Sequence, residues 1–317
     1  MNILIAGGAG YIGSVLVPKL LGLGYRVDVL DLFWFGNHLP KETGILHKDI
    51  FHVEKEDVNG YDVVIFLAGL SNDPMAEFSP AKNFISNAAA PAYLAYITKQ
   101  AGVRKFIYAG SCSVYGYTVN ELFDEDSPTI SDYPYGISKL QGERAVMQLA
   151  GDGFSAITLR QGTVGGYSPR MRLDLVVNTM FKTSVADKKI IVNNPSIWRP
   201  VLAIQDAVQA YTKAIRADSE ISGIFNVASG NFTVGEIAQN VKTEIKAKLG
   251  YDISIETKNI QDKRNYKVSS MKAKAVLDFH PEHNIQTMVD ELFENYEKFK
   301  DFDNPNYYNI QIFKALG

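Results

Sequence analysis

Seven residues near the start of the chain constrain its fold most. Gly7-Gly8-Ala9-Gly10-Tyr11-Ile12-Gly13 follows directly on the apolar run Asn2–Ala6, which reads as a buried strand. The segment 11–24 comes next, with Ile12, Val15, Leu16, Leu20 and Leu23 at helical spacing. Strand, glycine turn and helix, with Gly7, Gly10 and Gly13 at three-residue intervals, form a variant of the dinucleotide fingerprint. Glycine tightens the turn, lets backbone approach a pyrophosphate and brings the helix close to the strand. The N–H groups near Tyr11 and Ile12 then face the anion with the helix dipole behind them. Turns favour glycine for other reasons too, so the placement after an N-terminal strand carries the reading.

The next segments continue the pattern. Arg26–Asp31, 62–67, 105–109 and 155–160 read as strands, and 80–102 and 135–151 as helices. This alternation predicts an α/β chain with a Rossmann doubly wound parallel sheet, whose strand ends and following loops share one edge. Asp31 closes the second strand, where a carboxylate accepts hydrogen bonds from ribose hydroxyls and repels a 2′-phosphate. That favours NAD over NADP; a solvated strand-end aspartate is the plainer alternative. Phe33-Trp34-Phe35 follows, able to cover adenosine or to pack on the core. Asp49-Ile50 ends the third strand region.

After Arg160 the texture changes. Residues 162–200 read as irregular, rich in Gly, Pro, Asn and Arg. Helical stretches at 205–217, Val234–Leu249 and 284–299 and a short strand at 224–228 predict a smaller mixed α/β C-terminal domain. The expected division is a cofactor domain at 1–163 and a mainly substrate-binding cap at 164–317, with some segments returning to the first. The tail 301–317 is aromatic enough to dock.

Composition narrows the class. The 317 residues suit two folding units, and 46% apolar content is ample for a core. Charge is mixed, with a net −3 and no basic block, which argues against nucleic acid. The one cysteine, Cys112, can form neither an internal disulfide nor a cysteine zinc site. Pro281 interrupts the pair His280 and His283, so no metal site is expected. No leader and no span of ~20 apolar residues is legible, so the expectation is a cytoplasmic protein without membrane contact.

Chemistry concentrates in two places. Tyr135-Gly136-Ile137-Ser138-Lys139 follows Pro134, and Tyr and Lys at i and i+4 share a helical face. An ammonium beside the phenol, with a nicotinamide cation near it, is expected to favour phenolate and make Tyr135 a base near neutral pH. A bare Y-x-x-x-K is common by chance. Here Ser111 lies upstream in Ala109-Gly110-Ser111-Cys112-Ser113-Val114-Tyr115-Gly116, just past a predicted strand on the same edge as the glycine turn. The joint occurrence of the three is the specific signal.

At these residues the chain resembles the extended short-chain dehydrogenases/reductases that act on nucleotide-diphospho-sugars. The likeness runs through GGAGYIG, Asp31, Asp49-Ile50, Leu67-Ala68-Gly69, Asn87, GSCSVYG, YGISK, WRPVLAIQDAVQA, FNVASG and DKRNYKVSSMKA. It implies Tyr135 as base, Lys139 as its electrostatic partner and nicotinamide-ribose ligand, and Ser111 as hydrogen-bond donor. It implies further NAD contacts at Leu32, Asp49, Ile50, Leu67, Ala68, Gly69 and Asn87. A nucleotide-diphospho-sugar would meet Ser71, Ser111, Ser113, Asn178, Arg199 and Arg264, the arginines reaching the diphosphate. Either arginine alone could equally make an interdomain ion pair. A homo-oligomer, dimer or tetramer, is also implied, with segments 80–102 and 135–151 against a second copy.

Departures sharpen the expectation. The similar 4,6-dehydratases carry Asp-Glu where Cys112-Ser113 stand, so dehydration is disfavoured. Related 3,5-epimerase/reductases have a cysteine base at the position of Ser113; Cys112 is one place off and reads as a packed residue. Thr163 and Gly110 replace a frequent asparagine and serine, which leaves the substrate pose open. The main expectation is NAD-dependent oxidation at C4 of a hexose or heptose nucleotide to a 4-keto sugar. The resemblance extends to GDP-manno-heptose 4-dehydrogenases of capsule polysaccharide synthesis. The alternative is a C4-epimerase with tightly bound NAD. Asp31 speaks against a dedicated reductase, and a non-catalytic NAD-binding protein has no need of Ser111, Tyr135 and Lys139 together.

Overall fold

The structure, a computed structural model, describes residues 1–258 and 264–316; Asp262 and Lys263 of the DKRNYKVSSMKA segment lie outside the described residues. Seven strands make the main sheet: β1 (Asn2–Ala6), β2 (Arg26–Asp31), β3 (Gly44–His47), β4 (Val63–Phe66), β5 (Lys105–Ser111), β6 (Ser155–Gln161) and β7 (Gly223–Val227). The helices that matter below are α1 (Gly13–Gly22), α2 (Asp73–Phe78), α3 (Pro134–Met147), α4 (Val176–Asp187), α5 (Ile204–Arg216), α6 (Val234–Leu249), α7 (Ile285–Glu294) and α8 (Asn309–Ala315).

The sheet is wholly parallel, in the order β7-β6-β5-β4-β1-β2-β3. Its central strands are apolar runs without alternation because both faces are covered. Ile3, Leu4, Ile5 and Val64, Ile65, Phe66 are fully buried. Strand order reverses between β1 and β4, and ligand crevices form at such switch points beyond the strands' carboxyl ends.

The chain returns to this sheet after leaving it. β7 pairs with β6 through Phe225 and Leu159, and α5 places Ala207, Tyr211 and Ala214 in the same core as Ile3 and Ile5. A second core lies beyond, built from α4, α6 and α7 around Phe181, Ile237 and Leu292. The tail closes on both lobes. Phe302 and Tyr308 pack on the second core, while Phe313 of α8 packs on Leu70 and Met75 of the first. Among the described residues no helix is long and apolar enough to cross a membrane.

Three segments differ from the sequence expectation. Residues 162–200 are irregular only in part: 166–175 carry no helix or strand, but α4 follows, burying Val177, Phe181 and Ser184 on one face until Lys188 adopts a left-handed φ of 53° and stops it. Segment 80–102 is not one regular helix, because Ile85–Ala89 form a π turn that swings the Asn87 amide inward. Segment 284–299 is helical only to Glu294, with a short 3₁₀ turn after it.

Candidate active site

A cleft of about 900 Å³ runs across the carboxyl ends of β1, β2, β4 and β5, roofed by the second lobe. Its floor is the glycine turn. Gly7 has φ +80°, and a Cβ there would meet Ala68 N at 2.4 Å, so the turn is pressed against the residues after β4. Gly10 is different: a Cβ would approach only Gly7 O, at 3.1 Å, while the residue lines the cleft. A methyl group at position 10 would meet that one tight backbone contact and otherwise stand in the cleft, where the bare backbone leaves a cradle for a ligand. Asp31 at the end of β2 accepts the Ala9 N–H at 2.9 Å and the Phe33 N–H at 2.8 Å, and burial raises its carboxyl pKa. The carboxylate therefore braces the turn as well as facing the cleft. These features fit a dinucleotide.

Tyr11 joins the lobes. Its buried hydroxyl donates to Gly166 O at 2.6 Å and accepts from Asn178 Nδ2 at 3.1 Å, while its carbonyl accepts from Ser168 Oγ at 2.7 Å.

The reactive groups sit where β5 meets α3. β5 stays paired with β6 to its last residue, Ser111 opposite Gln161, so Ser111 ends the strand and does not follow it. Ser113 donates to Ser111 Oγ from its own Oγ at 2.9 Å and from its N–H at 3.2 Å. Ser111 thereby keeps its own proton to donate, and its hydroxyl lowers the pKa of the Tyr135 phenol. α3 begins with Pro134 in its first turn, which presets the backbone and needs no N–H partner there. Lys139, one turn on, donates to Ala109 O at 3.1 Å and lies 5.2 Å from the Tyr108 ring centre.

The protein's own groups hold both the Tyr135 and Lys139 side chains toward their neutral forms. Burial pushes the Tyr135 phenol up to about 12, outweighing the Ser111 hydrogen bond and the Arg172 charge that lower it. Burial likewise pulls Lys139 down to about 8. Desolvation disfavours both charged forms, and only added positive charge beside the phenol reverses that. Cys112 is buried, donates from Sγ to Arg160 O at 3.2 Å and has its thiol pKa raised by burial, so it holds no base.

Every site residue identified in the sequence lines this cleft except Asn87 and Asn178. Asn87 sits behind the wall, giving its amide protons to Leu70 O at 2.9 Å and Asn83 Oδ1 at 2.8 Å. Its Oδ1 lies 2.3 Å from where a Gly69 Cβ would be, so it shapes the loop without facing the cleft. Asn178 is consumed by Tyr11, Gly166 and Arg172 backbone or hydroxyl groups. Arg199 and Arg264 do line the cleft. Arg199 donates to Trp198 O and Arg264 O, and Arg264 pairs with Asp73 at the start of α2. The sequence reading missed Arg170, Arg172, Asp174 and Asn309, all of them on the lining. Three charges within Arg170-Met171-Arg172-Leu173-Asp174 were the available signal, hidden in a segment read as irregular.

Residues 3–228 match the NAD dependent epimerase/dehydratase family. The chain belongs to that family, and its cofactor is NAD. It is 26% identical over 315 residues to the UDP-glucose 4-epimerase of Corynebacterium glutamicum, spanning 92% of this chain and 95% of that one. The UDP-glucose 4-epimerase of Halalkalibacterium halodurans is 25% identical, with 98% of both chains covered. Among solved structures, UDP-glucose 4-epimerase from Thermotoga maritima with UDP-glucose superposes with a TM-score of 0.83 at 23% identity, covering 93% of this chain and all of that one. UDP-glucuronic acid 4-epimerase from Bacillus cereus, in complex with UDP-glucuronic acid and NAD, gives 0.82 at 22%, covering 94% and 99%. These superpositions establish the shared fold.

Proposed function

We propose that this protein is a nucleotide-diphospho-sugar C4-epimerase that keeps NAD bound through turnover. The observation that carries the reading is that Ser111 and Tyr135 face the same cleft as the glycine turn, with the Ser111 hydroxyl lowering the pKa of the Tyr135 phenol. Bound NAD supplies a hydride acceptor for C4 and the positive charge of the nicotinamide ring. Tyr135 takes the proton of the 4-hydroxyl, and Ser111 gives its own hydrogen bond to the oxygen as it becomes a ketone. Lys139, charged and buried beside them, lowers the phenol's affinity for that proton. Arg199 and Arg264 hold the sugar nucleotide's diphosphate at the far end, Arg264 exchanging Asp73 for phosphate oxygens.

Of the two outcomes left open by the residues, epimerisation has the stronger support. The full-length relatives are UDP-glucose 4-epimerases, and none of those similarities points to a heptose or a guanine nucleotide. Parallel incubations of the purified protein, with and without added NAD, with UDP-, GDP-, dTDP- and CDP-sugars followed by mass spectrometry and NMR test this. An isomer of equal mass is expected. A product two mass units lighter with NADH accumulating would establish net 4-dehydrogenation and overturn it. Loss of water would overturn the exclusion of dehydration drawn from Cys112 and Ser113.

A further inference from the structure

Among the described residues Arg170, a cation inside the cleft, makes no ion pair of its own. It is 2% exposed, on the stretch between Gly166 and α4, and it lines the cavity. Its guanidinium donates to Met171 O at 3.4 Å and to Asn309 Oδ1, and its buried Nε has no partner among the described residues. The neighbouring carboxylate is taken: Asp174 forms a two-point pair with Arg172 at 2.8 and 3.1 Å. A buried guanidinium left this way is costly unless an anion arrives to meet it. Its plane is already set, 3.6 Å above the Phe35 ring, and Asn309 holds one edge.

Two diphosphates could enter this cleft, one on the dinucleotide and one on the sugar nucleotide. Arg170 lies over Phe35, in the loop that follows Asp31 at the end of β2, and so stands on the dinucleotide side of the cleft. Arg199 and Arg264 instead sit with Tyr266, Tyr133 and Asp73. We propose that Arg170 is a cofactor-binding residue that meets the diphosphate of NAD from the second lobe, opposite the glycine turn. Asn309 is its positioning residue. α8 carries Asn309 back across the lobes: Asn309 Nδ2 donates to Ser71 Oγ at 2.7 Å, and Phe313 stacks on Trp34 with ring centres 6.2 Å apart. The last helix thus aims a cation at the bound dinucleotide, a reason for NAD to stay through turnover.

Titration of NAD-free protein with NAD, ADP-ribose, adenosine and UDP, by calorimetry, tests the assignment without any sugar, so its failure is distinct from failure of the epimerase reading. Arg170→Met is expected to weaken NAD and ADP-ribose roughly 10- to 100-fold and leave adenosine and UDP within about twofold. Asn309→Ala is expected to weaken the same two ligands by a smaller factor, and both variants to be purified with less bound NAD. Arg170→Lys keeps charge without the fork and is expected to fall between wild type and Arg170→Met; should Arg170→Met fail to fold, this variant decides. Equal losses for adenosine would mean that Arg170 packs on the base. A loss confined to UDP would move it to the substrate diphosphate. Unchanged NAD affinity would remove the role. Each of these three overturns the proposal.

Discussion

Lys139 sits where an ammonium is poorly tolerated. It is 5% exposed, and its one hydrogen bond goes to a backbone carbonyl, so burial lowers its pKa from the ordinary 10.5 to about 8. Below pH 8 the side chain is protonated folded or unfolded, and the folded state carries the whole desolvation penalty. As pH rises from 8 to 10.5 the folded lysine sheds its proton first, and the penalty fades. The shift corresponds to a cost on the order of 3 kcal/mol at pH 7. Lys139→Met is therefore expected to raise the melting temperature of NAD-free protein by several degrees at pH 7. The gain should shrink toward pH 10.5, while turnover is lost. Melts at three pH values decide it: a lower melting temperature at pH 7 would mean that the lysine helps hold the fold. Tyr135→Phe, which removes only the phenol oxygen, is expected to keep the fold and lose turnover by about 10²-fold or more. Ser111, Tyr135 and Lys139 were legible because their spacing along the chain places them on one strand end and one helix face. How strongly burial opposes their charged forms was not, because desolvation depends on what the fold packs around them.

Within the glycine turn the three-residue repeat hides two different demands. Gly7 answers to the fold: its φ of +80° and the Ala68 backbone 2.4 Å from a would-be Cβ leave no room for a side chain. Gly10 answers to the ligand, since only Gly7 O lies near. Gly7→Ala is expected to cost about 1–3 kcal/mol of stability and Gly10→Ala less, since a single backbone oxygen has to give way. Gly10→Ala should nevertheless weaken NAD at least roughly tenfold by standing a methyl group where the pyrophosphate approaches. Paired melts and NAD titrations separate the two, and equal destabilisation would sink the distinction. Elements were legible in the same uneven way. The central strands announce themselves as apolar runs because both sheet faces are covered. α4 was hidden by polar residues around it, and the π turn depends on Asn87 reaching Leu70, Asn83 and Ser138, contacts that no periodicity encodes.

Across the whole molecule the two lobes are fastened at the cofactor turn. Tyr11 bonds to Gly166, Ser168 and Asn178 of the second lobe, and α5 and β7 return the chain to the core of the first. Unfolding the second lobe alone would strip Tyr11 of its partners and expose the face that α5 covers, so the chain is expected to unfold in one calorimetric transition. Two separated peaks would show lobes of independent stability. Ligand linkage then acts on the entire molecule: NAD at 100 times its dissociation constant should stabilise that single transition by about 2.7 kcal/mol. NADP at the same concentration should shift it far less. The Asp31 carboxylate, fixed by the Ala9 and Phe33 N–H groups, has no freedom to turn away from a 2′-phosphate. An equal or larger shift with NADP would remove Asp31 from its ribose-facing role while leaving the single transition intact.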